Sequence, residues 1–330
     1  MPRISGRSWL PVLVTAFLGA LVLSLWAGSF ALTWRDIGAV LLGHSSSPTH
    51  IAVVLKVRLP RAMLAALVGA SLGASGGAFQ AVLRNPLADP YLLGVSGGAA
   101  LGAVAAMTLG FASPLWVPTA AFSGALGALA TVYFIARAHR SSPHTLILSG
   151  VMVGSLASAL LLFLLWTTPA DPARSAIFWL AGNLSTIDPG WLPRAALGAG
   201  VAFFALWLQA PALDLFTLGE ETASDLGLAV GRARLGVFVA AGALTACAVA
   251  LAGLVGFVGL VVPHAVRLLW GPSHRRLLPA SALMGAAFLM TADALSRIVL
   301  PPAEIPVGVV TALLGAPFFL YLLRKREGEG

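Results

Sequence analysis

Charge, cysteine and long polar runs are all scarce in this chain. Its 330 residues hold 12 acidic and 20 basic side chains, three tyrosines and one cysteine. The lone Cys247 lies inside an apolar run, which excludes an internal disulfide framework and suits small-residue packing. No G-x-x-x-x-G-K-S/T sequence occurs, so the chain has no P-loop to cradle nucleotide phosphates. No H-E-x-x-H, nucleophile elbow or paired metal motif occurs either, and nothing reads as an enzyme. The apolar runs lack the series of carboxylates that relays protons, which argues against a proton-coupled carrier. Uphill transport would have to draw its energy from another subunit or from an ion gradient.

What the chain does have is apolar surface. It is 58% hydrophobic, with a mean hydropathy of +0.92. One soluble core could not hide so much, whereas a lipid-facing exterior removes the need to. At roughly 20 apolar residues per helical span, ten candidates follow: 9–30, 62–83, 91–109, 114–136, 144–166, 191–209, 233–252, 254–270, 277–298 and 306–323. The eighth is the least regular, being short and carrying Pro263, His264 and Arg267. Arg3 and Arg7 before the first run resemble a signal peptide, but that run is longer than an h-region and nine more follow, so it reads as an uncleaved first helix. The expected fold is an all-α polytopic membrane protein, a single domain over 1–330.

The net charge of +8 is read as topology rather than as a nucleic-acid footprint, because the basic residues flank the spans. Their bias puts both termini in the cytoplasm. Lys56, Arg58 and Arg61 break it by clustering outside. Residues 213–232 form the most unusual polar stretch. Asp214, Glu220, Glu221 and Asp225 alternate there with Leu215, Leu218, Ala223, Leu226 and Leu228, broken at Gly219 and Gly227. This pattern reads as one or two short amphipathic helices forming a cytoplasmic docking surface, with an ordinary solvated loop as the other reading. Elsewhere Gly69, Gly73 and Gly77, and Gly94, Gly98 and Gly102, recur every fourth residue, which lets helix backbones approach closely.

Few polar groups interrupt the spans. Asp293 and Arg297 stand four apart and can pair on one helix face. Gln80 lies near the inner end of the second span. His264 lacks a second ligand at metal spacing and reads as a structural histidine beside a helix break rather than as a metal or haem ligand. Arg174 either meets an anionic cargo or pairs with Asp171.

Several stretches, in this order, are similar to one family. They are Arg58-Leu-Pro-Arg61; Gln80 through Asn85-Pro-Leu-Ala-Asp89-Pro90; Leu93-Gly-Val-Ser-Gly-Gly98; and Leu218-Gly-Glu-Glu221 with Leu226-Gly227. Gly256-Phe-Val-Gly-Leu-Val-Val-Pro-His264 with Arg267, and Ala303-Glu-Ile-Pro-Val-Gly308 through Gly315-Ala-Pro-Phe318, complete the set. Together they resemble the FecCD (BtuC-like) permeases, the membrane half of type II ATP-binding-cassette importers, over nearly the whole length.

The resemblance implies two copies of the chain in the bacterial inner membrane, with two ATPase subunits and a periplasmic or lipid-anchored solute-binding protein. ATP and Mg would be used by the ATPases, with no cofactor or metal on this chain. The implied cargo is a ferric siderophore, haem or cobalamin, moving along the dimer axis past the fifth and tenth spans. It further implies docking of the binding protein at Arg58, Arg61 and Arg297. The coupling residues would be Leu218, Gly219, Glu220, Glu221, Ala223, Leu226 and Gly227, and the cytoplasmic gate Asn85, Leu87, Ser141 and Ser142. An ion-coupled carrier or channel and a lipid-modifying membrane enzyme are the competing classes, weakened by the missing carboxylates and the missing catalytic motifs.

Overall fold

The computed structural model describes residues 9–111, 115–138, 142–185, 189–301 and 303–327. Among these, the regular elements are helices and no strand occurs. Helix α1 (Trp9–Trp26) is followed by two short helices, α2 (Trp34–Leu41) and α3 (Pro48–Ile51). A π-helical segment, Ala52–Arg58, then runs into α4 (Leu59–Val82). Next come α5 (Val95–Thr108), α6 (Trp116–Ala138), α7 (Pro143–Thr167), α8 (Ala170–Leu180), α9 (Leu192–Leu208), α10 (Ala210–Leu218) and α11 (Glu220–Asp225). The last four are α12 (Val230–Ala252), α13 (Val258–Trp270), α14 (His274–Ile298) and α15 (Val307–Glu327).

Each of the ten expected spans corresponds to a helix: α1, α4, α5, α6, α7, α9, α12, α13, α14 and α15. By length and composition α1, α6, α7, α12 and α14 each suffice to cross a membrane, and the α9–α10 pair, bent by 51°, makes a sixth. Helices α5, α13 and the apolar part of α15 are shorter. Helix α4 is 24 residues long and enclosed by other helices along most of its length.

That enclosure follows from its small side chains. A Cβ on Gly69 would lie 2.2 Å from the Gly285 carbonyl oxygen, one on Gly73 2.3 Å from that of Ser281, and one on Gly77 2.7 Å from the Leu277 side chain. Positions 69, 73 and 77 therefore run antiparallel to 285, 281 and 277 in matching four-residue steps. A second face of α4 does the same to α13, where a Cβ on Gly76 would stand 2.0 Å from the Gly259 oxygen. Gly98 and Gly102 of α5 press similarly on Gly124 and Ala120 of α6. Gly94 departs from the expected row: it sits before α5 with φ +76°, a left-handed turn that glycine adopts without strain.

The irregular eighth span is α13 preceded by an extended stretch. Backbone groups freed there need partners, because a bilayer core offers none. The Tyr91 hydroxyl donates to the Val255 oxygen at 3.0 Å and accepts from the Val255 N–H at 3.2 Å. The Asn183 N–H donates to the Ala252 oxygen at 2.8 Å. Within α13, Pro263 has no N–H to give to the Gly259 carbonyl. The Gln80 amide donates to Gly259 and Leu260 oxygens at 3.4 and 3.2 Å instead, and its own oxygen accepts from Arg267 at 3.0 Å. His264 follows this break and is buried.

Substituting a bulky residue into the α4–α14 seam should separate the two backbones. Gly285→Leu is expected to cost at least ~1–3 kcal/mol and to lower the yield of monodisperse protein in detergent. Gly127→Leu, where a Cβ meets nothing within 4 Å, is expected to leave yield and thermal midpoint near wild type.

Candidate functional site

The amphipathic stretch folds as the pair α10–α11, hinged at Gly219 with φ +110°. Leu213, Phe216 and Ala223 are buried and anchor the pair, whereas Leu218 and Leu226 are each 61% exposed. Glu221 and Asp225 lie on the exposed surface beside these leucines, and Gly227 ends the unit with φ +87°. An apolar-acidic edge thus points away from the bundle while its back is fixed to it.

Two side-chain pairs make that attachment. The Asp214 carboxylate accepts from the His274 backbone N–H at 2.8 Å and contacts its ring Nδ1 at 2.6 Å. It therefore caps the first turn of α14, whose leading N–H groups have no partner within the helix. Glu220 pairs with Arg234, a 4%-exposed arginine at the start of α12. Neither partnership was legible in the sequence, because each joins residues well separated along the chain.

The loop expected at the gate lies beside this unit. Helix α4 ends with the Asn85 N–H returning to the Gln80 oxygen at 3.1 Å and the Arg84 N–H to Ala81 at 3.1 Å. Arg84 holds φ +48°, a left-handed position usually given to glycine at helix ends. The Asn85 side chain accepts from the Leu87 N–H at 2.9 Å, which closes the turn locally. Desolvation pushes the neighbouring Asp89 carboxyl up to about 6, against the pull of its bond from the Tyr91 N–H. Ser142 caps α7, accepting from the Thr145 N–H at 3.2 Å; Ser141 lies outside the described residues. A cavity of about 550 Å³ is lined by Leu83, Arg84, Asn85, Pro143, His144 and Thr217, among others. The structure therefore gathers the Asn85 turn, the α7 start and the end of α10 around one opening.

The arginines expected to receive a docking partner are placed differently. Arg58 is 3% exposed, and its guanidinium donates to the Leu25, Trp26 and Phe30 carbonyls. Arg297 is 5% exposed, donating to Ala27 at 2.7 Å and to the Ser24 oxygens at 2.9 and 3.0 Å, and pairing with Asp293 at 3.0 Å. Both cap the end of α1, whose last carbonyls lack helical partners. Their donors are consumed inside the protein, so the expectation that they meet carboxylates from outside is corrected. Arg61 bridges the fully buried Asp293 and the half-exposed Glu304, at 2.8 Å each. Only this Arg61–Glu304 edge reaches the surface.

Arg174 lies exposed on α8, and no ion pair joins it to Asp171 among the described residues. A separate cavity of about 530 Å³ runs along α7, lined by Gly150, Gly154, Ser155 and Ser158 with Tyr91 and Leu92. Among the described residues, no group of three or more His, Cys, Asp or Glu converges on a common point.

Residues 15–325 match the FecCD transport family. The chain is 48% identical over 286 residues to the cobalamin import system permease protein BtuC of Halobacterium salinarum, covering 84% of this chain and 75% of that one. It is 40% identical over 310 residues to the Fe(3+) dicitrate transport system permease protein FecD of Escherichia coli, covering 93% and 95%. A solved chain described as an inward-facing ABC transporter of the metal-chelate type superposes with a TM-score of 0.87 at 33% identity, covering 96% of this chain and 98% of that one.

The buried charges at the α1 end generate a stability prediction. Asp293→Ala leaves Arg61 and Arg297 without their shared counter-charge and is expected to cost about 3–5 kcal/mol. Glu304→Ala, at the half-exposed edge, should cost under about 1 kcal/mol. Thermal unfolding of the purified variants measures both; equal midpoints for the two would remove this cluster from the account of stability.

Proposed function

The chain belongs to the FecCD transport family, and on that premise we propose that two copies import a metal chelate or corrinoid through the membrane. The chain is a permease subunit of an ATP-binding-cassette importer, with hydrolysis carried by a separate subunit. The proposed cargo is a ferric siderophore, haem or cobalamin; the relatives are named for cobalamin and Fe(3+) dicitrate. The proposed setting is the bacterial inner membrane, with both termini cytoplasmic and a solute-binding protein delivering cargo from outside.

The observation that carries the mechanism is the α10–α11 edge. Leu218 and Leu226 stand exposed above buried anchors, flanked by acidic side chains. An ATPase seated on that edge would gain both apolar contact and charge complementarity. Displacing the edge would pull on α14 through Asp214–His274 and on α12 through Glu220–Arg234. It would also disturb the Asn85–Leu87 turn, because Arg84 and Thr217 line the same cavity. The proposed gate comprises Asn85, Leu87 and Ser142, with Ser141 beside it. Arg174 is retained as a proposed contact for an anionic cargo.

Leu218→Asp combined with Leu226→Asp is expected to abolish co-purification of the ATPase subunit. Arg234→Gln is expected to leave the complex assembled but to lower cargo-stimulated ATP hydrolysis at least fivefold. The readouts are pull-down and hydrolysis by the reconstituted complex; wild-type values in both variants would refute this coupling surface. Uptake across haem, cobalamin and several ferric siderophores identifies the cargo, and failure to import any of them refutes the proposed class.

A further inference from the structure

A third cavity lies apart from the gate and from α7. It has a volume of about 310 Å³ and is walled by α6, α9 and α12. Pro118 and Phe122 form one wall, Ala243 and Cys247 another. Gly198 belongs to its lining, and a Cβ built there meets nothing within 4 Å, so the groove is open at this point. Leu197 and Val201 of α9 and Val239 of α12 are 72%, 64% and 61% exposed, so the surface bearing the groove is itself apolar. Arg194 is the one charged residue on the lining. Its guanidinium lies 5.6 Å from the Trp191 ring centroid, and no carboxylate among the described residues pairs with it.

An apolar-walled groove in an apolar surface, with one cation beside an aromatic ring on its lining, matches one class of ligand. We propose that it holds an acyl chain of an anionic phospholipid, whose phosphate is bound by Arg194. The volume is at the lower end for a ligand pocket and suits one chain rather than a whole lipid. Trp191 and Arg194 are the residue types that settle at the headgroup level of a bilayer. The cation–π contact with Trp191 leaves the guanidinium N–H donors of Arg194 available for a bidentate phosphate contact. The walls come from α12 and from α6 and α9, each of which packs on it, so an inserted chain would touch all three.

Native mass spectrometry of the full-length chain in mild detergent, titrated with phosphatidylglycerol or phosphatidylcholine, tests this. Wild type is expected to retain phosphatidylglycerol in preference. Arg194→Gln should reduce that preference about fivefold, the worth of one basic residue at an anionic lipid surface. Gly198→Leu should fill the groove and abolish retention of the lipid. Gly200→Leu, exposed on the same helix, outside the lining and equally free of neighbours within 4 Å, should bind like wild type. All three are surface substitutions, checked for folding by gel filtration. Equal retention of the two lipids by wild type would overturn the role of Arg194, and undiminished retention by Gly198→Leu would overturn the site.

Discussion

Helices packed side by side in a bilayer gain nothing by excluding water from one another, so they associate only where their backbones can come close. In this chain that constraint falls on α4. Its glycines place the α14 backbone on one face and that of α13 on another, at separations that leave no room for a Cβ. The remaining helices pack outward from this trio, with Phe79 of α4 set edge-on against Phe238 of α12 at 5.5 Å. A helix so enclosed cannot shift without carrying its neighbours. The α4–α13–α14 group is best regarded as one rigid piece, with the shorter elements at its ends free to adjust.

Close approach also lets polar groups serve backbone that the fold has broken. Gln80 reaches the carbonyls beside Pro263 because Gly76, one turn earlier, lets α13 lie against α4. Tyr91 repairs the extended stretch before α13 from a different loop. At the opposite end of α4, Arg58 and Arg297 repair the end of α1 in the same manner. Gln80, Tyr91, Arg58 and Arg297 thus each serve backbone groups at a helix end or break.

The same facts explain what could be read in the sequence. The ten spans were legible because apolar run length reflects bilayer thickness directly, and the glycine rows because helical spacing is local. The α10–α11 pair was legible for the same reason, its leucines and acids alternating at helical intervals. Arg58 and Arg297 were misread because burial is a long-range property. Arg297 meets its carbonyl acceptor 270 residues away, and Arg61 meets Asp293 at a separation of 232. Flanking charge next to an apolar run looks the same whether it faces solvent or folds inward to cap another helix. Gly94 was misread on a smaller scale: its spacing fits the row, but Pro90 opens a separate turn before α5.

The two ends of the bundle are consequently built for different work. At the α1 end three arginines, one buried carboxylate and a set of helix-end carbonyls lock α1, α4 and α14 together, and only Arg61 and Glu304 touch the surface. Moving anything there would strand charges in a dry environment. At the other end Asp214–His274 and Glu220–Arg234 each join a buried base to an acid that keeps 42% or 27% of its side chain exposed, so these pairs border solvent on their acidic side. The turn there also contains Arg84 in a left-handed conformation, a point of stored strain. On the proposal that an ATPase pushes at α10–α11, the end that borders solvent would yield, near the Asn85 turn. On that proposal the fully buried Asp293, set between Arg61 and Arg297, would keep the α1 end fixed.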